Sequence, residues 1–119
     1  MNRLFSLLTL AALSYTTAAS DCIGTTADMM VCADKDYQIA DKRLNQTYNA
    51  LKKTLDVEGT KLLLDSQRAW LKFRDTNCSL AADQTRGGTM AGLLQIGCLS
   101  SMTDLRTKEL NELINGLGR

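Results

Sequence analysis

Apolar positions recur along this chain at helical rather than strand period. Leu63, Gln67, Trp70 and Arg74 share one face, because side chains three and four apart stack on a helix. Their neighbours Leu62, Leu64, Leu71 and Phe73 make the segment apolar nearly all round. This predicts a buried helix over 61–82 whose polar members need partners. Upstream, Tyr37, Asp41, Leu44, Tyr48, Leu51 and Leu55 follow the same period and form an apolar seam with one acid inside it. Thr25 followed by Asp28 has the form of a capping box and predicts a first helix over 26–56. Gly59 then supplies a left-handed stop and Thr60 a cap for the second helix. The polar, glycine-containing segment 83–89 reads as a loop. A third helix is expected over 90–115, kinked near Gly97 or Ser100-Ser101, with Thr103 as a local cap. Its seam is Leu99, Met102, Arg106, Leu110, Leu113 and Leu117. The predicted fold class is all-α, a three-helix antiparallel bundle: a hairpin plus a C-terminal helix, stapled by two disulfides.

A short connection makes the first two helices antiparallel neighbours. With the turn centred near Val57 and Glu58, Asp41 lies level with Arg74, Tyr48 with Gln67 and Leu44 with Leu71. Asp41, Arg74, Arg106, Asn45 and Gln67 are therefore expected to form a buried polar network that fixes the register of the helices. The competing reading of the same residues is an anion or carboxylate site lined by two arginines.

The first residues change the picture of where the chain works. Met1-Asn2-Arg3 precedes an apolar run from Leu4 to Leu13 and small residues at Thr17-Ala18-Ala19, the form of a Sec-type signal peptide over 1–19. Its apolar part is far shorter than the roughly 20 residues that span a bilayer, so no stable membrane anchor is expected. Cys22 follows Ser20-Asp21, unlike a lipoprotein cysteine. The remainder, 20–119, is expected to be a single disulfide-bonded helical domain, periplasmic or secreted, and a monomer. The chain has 14 Lys and Arg, of which Arg3 lies in the leader, and 13 Asp and Glu. A balance this close to neutral offers no general affinity for nucleic acid.

Four cysteines, 22, 32, 78 and 98, remain after cleavage, and an even count in a short secreted chain reads as two disulfides. A zinc site would need closer spacing, and the chain contains no His. Cys32 and Cys78 fall near one end of the helical hairpin, so 32–78 with 22–98 is the expected pairing. The alternative, 22–32 with 78–98, stays open.

Enzyme chemistry needs a nucleophile with a base, paired carboxylates or a metal. Without His, with its cysteines oxidised, and with Glu109 and Glu112 on one solvated helix face, the chain is expected to be no enzyme and to carry no metal or cofactor. The loop residues Asp83, Gln84, Arg86, Gly87, Gly88 and Thr89 are the candidate partner-binding set, because binding residues concentrate on loops held by rigid scaffolds.

Several of these residues form a combined motif: Cys22, Cys32, Tyr37-x3-Asp41-x2-Leu44-Asn45-x2-Tyr48, Gln67-Arg68-Ala69-Trp70-x3-Arg74-Asp75-x2-Cys78, Gly87-Gly88-Thr89, Cys98 and Thr103-x2-Arg106-x3-Leu110. In combination they strongly resemble the LprI-type lysozyme-inhibitor-like domain family of bacterial secreted proteins, over essentially all of the mature chain. The resemblance implies a small all-α, disulfide-bonded exported domain, and a protein partner that is lysozyme or another cell-wall hydrolase. It assigns no inhibitory residue, and the chain departs from the family's naming member in lacking a lipoprotein signal. The expected activity is inhibition of a muramidase by steric occlusion, with Arg86 approaching the enzyme's carboxylates from the 83–89 loop. The alternative is an envelope adaptor or scaffold that binds another periplasmic partner through an apolar stripe at Leu93, Leu94 and Ile96.

Overall fold

A computed structural model describes residues 22–117. The expected leader over 1–19 lies outside them. Three helices of 27 residues each follow in order: α1 (Thr26–Lys52), α2 (Val57–Asp83) and α3 (Ala91–Leu117). The described residues contain no strand, so the observed class is the all-α, two-disulfide one.

The capping chemistry sets the helix ends. Thr25 and Asp28 close a capping box, in which the Thr25 N–H donates to Asp28 Oδ2 at 2.9 Å and the Thr25 hydroxyl accepts from the Asp28 N–H. The Thr25 hydroxyl and then the Thr25 N–H hold the Asp28 carboxyl below its ordinary pKa. α1 stops earlier than 56, because the N–H and the hydroxyl of Thr54 both bond the Leu51 carbonyl, at 2.9 and 2.7 Å. Asp56, not Thr60, caps α2 by accepting from the Gly59 N–H at 2.8 Å. Gly59 therefore lies inside the first turn rather than stopping α1. α3 runs unbroken through Gly97 and Ser100, and Thr103 is a buried mid-helix residue instead of a cap.

The helix order in space differs from the expected hairpin. α3 packs against both α1 and α2, while the α1 and α2 backbones stay largely apart. Small residues let α1 and α3 approach: Ala40 and Thr103 are fully buried, and Gly92 lies where an added Cβ would stand 3.2 Å from Met30 Cε. The links Cys78–Cys98, Arg74–Thr103 and Gln67–Arg106 run in opposite order along α2 and α3, so these two are antiparallel. The gap between α1 and α2 is bridged by large side chains, with Arg74 of α2 over the Tyr37 ring of α1. Leu44, Leu51, Leu63 and Leu110 form the core near the α1–α2 turn, with Tyr48, Leu55, Trp70 and Ile114 packed around them.

On α2 the buried face is Leu63, Gln67, Arg74, Cys78 and Ala82. The helix is not buried all round, however: Leu62, Leu64 and Phe73 are exposed. On α3, Thr103 and Leu110 are buried whereas Leu113 is exposed, so the seam is rotated from the expected one toward Thr103 and Ile114.

Candidate functional site

The polar residues of the core are saturated. Arg74 is 6% exposed, and its Nε and Nη2 reach Asp75 Oδ1 at 2.9 and 2.8 Å while Nη1 donates to Thr103 Oγ1 at 3.2 Å. Its guanidinium also lies between the rings of Tyr37 and Trp70, 5.6 and 5.3 Å from their centroids. Arg106 spends its three nitrogens on Gln67 Oε1 (3.1 Å), Glu109 Oε2 (2.9 Å) and Ser66 Oγ (2.8 Å). It sits 5.8 Å from the Trp70 ring, so the single Trp contacts two guanidinium groups. Each arginine has its own carboxylate, and among the described residues no buried side-chain nitrogen or oxygen is left without a partner. Such a cluster holds helices together and offers no open charge to an anion.

Asp41 is not the partner of Arg74. It is half-buried on α1, and its one hydrogen bond comes from Asn45 Nδ2 at 3.4 Å, with Asn45 itself exposed. The physical reason is the wide α1–α2 spacing: Tyr37, one turn earlier, fills the space in front of Arg74, and the adjacent Asp75 supplies the carboxylate. Gln67 is buried and does face across, but to Arg106 of α3. Thr103, read from sequence as a cap, and Ser66 and Asp75 are the cluster members that the sequence does not place there. Thr103 had a usable signal, since it recurs with Thr107, Leu110 and Ile114 at helical period and its methyl group suits a core position.

The disulfides pair Cys22 with Cys32 and Cys78 with Cys98, with Cα atoms 5.7 and 5.4 Å apart. This corrects the expected 32–78 and 22–98 links. With α1 and α2 held apart, Cys32 and Cys78 lack the close approach that a disulfide requires. The 22–32 bridge instead ties the N-terminal arm to the start of α1. The 78–98 bridge joins α2 to α3 across the loop. Met102 Sδ lies 3.7 Å from Cys78 Sγ and accepts from Asn77 Nδ2 at 3.3 Å, packing the inner side of this bridge.

The loop is therefore clamped at its base. Asp83 ends α2 and Gln84 is its C-cap, while Arg86 Nε and Nη2 donate to the two Asp83 carboxylate oxygens, each at 2.7 Å. Gly87 has φ +78°, the left-handed region that glycine tolerates, and the Gly88 N–H closes the turn on the Thr85 carbonyl at 2.9 Å. Asp83, Gln84, Arg86, Gly87, Gly88 and Thr89 are all exposed. Among the described residues no group of three or more His, Cys, Asp or Glu could hold a metal ion, and no helix is long and apolar enough to cross a membrane.

Three helices, two bridges and a saturated core define a helical, disulfide-stapled scaffold carrying an exposed loop. The profile of the family described as Lysozyme inhibitor LprI matches residues 17–110, and the chain belongs to that family. It is 38% identical over 100 residues to "Uncharacterized protein R02472" of Rhizobium meliloti (strain 1021), covering 73% of this chain and 72% of that protein. It is 29% identical over 94 residues to "Uncharacterized protein YecT" of Escherichia coli (strain K12), covering 66% of this chain and 58% of that one. No solved structure matches.

Proposed function

We propose that this protein acts outside the cytoplasm as a non-catalytic inhibitor of lysozyme, closing the enzyme's cleft with the 83–89 loop. The observation that carries the proposal is membership of the Lysozyme inhibitor LprI family across residues 17–110. Two disulfides fit an oxidising compartment, and a cleaved leader over 1–19 would deliver the chain there. Lysozyme cuts with two carboxylates set in a groove. Arg86 is the cation of the loop and its side chain is 79% exposed. Its charge is matched by Asp83, so entry into the groove exchanges one carboxylate partner for another. Gly87 and Gly88 keep the backbone beside it narrow, and Gln84 and Thr89 offer hydrogen bonds at the rim. The 78–98 bridge limits what the loop loses in freedom on binding.

Titration of the purified protein into a lysozyme assay on suspended peptidoglycan tests this. Inhibition should saturate with the enzyme, weaken at least about tenfold in Arg86→Ala and strengthen in Asp83→Asn, which releases Arg86; tenfold is about 1.4 kcal/mol. Absence of inhibition at micromolar excess overturns the proposal. Inhibition that is unchanged in Arg86→Ala removes the loop from it.

A further inference from the structure

α2 and α3 present a second feature that the loop does not use. Along α2, positions 62, 66, 69, 73, 76 and 80 form one stripe at helical period, and along α3 so do 94, 98, 101 and 105. Ser66 of the first stripe bonds Arg106, and Leu62 shares a groove of about 430 Å³ with Leu113. Arg74, on a different face of α2, turns toward Tyr37 of α1. In the antiparallel register set by Cys78–Cys98 and Gln67–Arg106, both stripes fall on the side of the α2–α3 pair that faces away from α1. Leu62 then stands level with Leu113, Phe73 near Leu105, and Leu80 with Leu94.

These six side chains are exposed by amounts from 43% (Leu94) to 71% (Leu80). At about 170–200 Å² for each whole side chain, they leave roughly 600 Å² of apolar surface open to water. That is at the top of the range for the largest patch on a monomeric protein, and it marks an interaction surface. The strip is about 27 Å long at the helical rise. The α2 stripe contains no charged residue, since Ser66, Ala69 and Thr76 separate its apolar members. Charge enters where the α3 stripe runs on past Leu105 into Lys108 and Glu112, while Glu109 beside them is bonded to Arg106. At the other end lies the start of α3, whose first turn has no acidic residue to offset its positive end.

We propose that this face is the interface of a two-fold symmetric dimer, in which α2 and α3 of one copy pack antiparallel on α2 and α3 of the second. A two-fold pairing puts the same patch on both sides. Two such patches bury on the order of 1,200 Å², the lower bound of a specific interface. An uncharged strip carries no like-charge penalty when it meets itself. The antiparallel sense sets the Leu62–Leu113 end of each copy on the partner's Leu80–Leu94 end. The two 83–89 loops then lie at opposite ends of the assembly. The inference does not depend on lysozyme being the target.

Sedimentation equilibrium of the purified protein, with both disulfides formed, tests the proposal over a wide concentration range. The expected result is a monomer–dimer equilibrium with a dissociation constant on the order of micromolar. Phe73→Glu and Leu105→Glu, both at exposed positions, should each weaken it at least about tenfold with helical circular dichroism unchanged. Ile39→Glu on α1 should leave it as it was. A monomer at every concentration up to several hundred micromolar overturns the proposal, including where the strip then captures a different protein. So does a dimer indifferent to both strip variants.

Discussion

Thr103 Oγ1 accepts a hydrogen bond from Arg74 Nη1 at 3.2 Å, and both residues are buried. This contact places the charged centre of α2 on the middle of α3 rather than on α1. A valine at 103 keeps the shape and removes the acceptor, leaving one guanidinium N–H unmatched. Thr103→Val is expected to lower unfolding free energy by about 1–3 kcal/mol in urea titration. Asp41→Ala, which removes only a long bond to exposed Asn45, should stay within about 0.5 kcal/mol of the parent. The reverse order of effects would mean that Asp41, not Thr103, is the partner of Arg74.

Disulfide connectivity has a direct chemical readout. No Lys or Arg lies between Cys22 and Cys32, so trypsin leaves both on one peptide that ends at Lys35. Cys78 falls on the peptide 75–86 and Cys98 on 87–106. Unreduced digests should therefore contain 75–86 joined to 87–106, and a separate N-terminal peptide with an internal bridge. All three peptides joined together would instead contradict this pairing, whether through 32–78 with 22–98 or through 22–78 with 32–98.

The start of α1 should respond to acid. The capping box lowers the pKa of Asp28 below its unfolded value, so its stabilisation is fully present above the ordinary carboxylate range and is lost as pH falls through the lowered value. Amide exchange at Met29 and Met30 should accelerate as pH drops below about 4, after correction for intrinsic rates. In Asp28→Asn the amides should be less protected near neutrality and lack this pH-dependent component. Protection that rises on acidification would contradict the assignment.

Two glycines should respond to alanine with opposite signs. Gly87 sits at φ +78° with no atom within 4 Å of an added Cβ, so only backbone conformation opposes Ala. Gly87→Ala is expected to destabilise by about 1–2 kcal/mol. Gly97 lies inside α3 with equally open space and no positive φ. Gly97→Ala should stabilise by about 0.5–1 kcal/mol, read from the same urea midpoints.

Periodicity revealed the helices and the inward face Leu63, Gln67 and Arg74, because a three-to-four-residue spacing maps directly onto one side of a helix. It could not reveal which helices touch. A short turn made α1 and α2 natural neighbours, and from that assumption followed both the Asp41–Arg74 pair and the 32–78 bridge. The actual arrangement depends on side-chain volume: Ala40, Gly92 and Thr103 admit α3 beside α1, while Tyr37, Trp70 and Arg74 hold α1 and α2 apart. Apolar residues around the whole circumference of α2 suggested complete burial. Packing covers only part of that circumference, leaving Leu62, Phe73 and Leu80 open. The 83–89 loop was legible from its glycines, but the Arg86–Asp83 clasp is a side-chain contact three residues apart that loop composition does not encode.

In the proposed function, the saturated scaffold meets lysozyme through the 83–89 loop alone. Hydrogen–deuterium exchange of the protein with and without a saturating excess of lysozyme measures this most directly. The account predicts added protection concentrated on 83–89 and the flanking turns of α2 and α3, with the core of α1 unchanged. No change anywhere, or protection confined to α1, would contradict it.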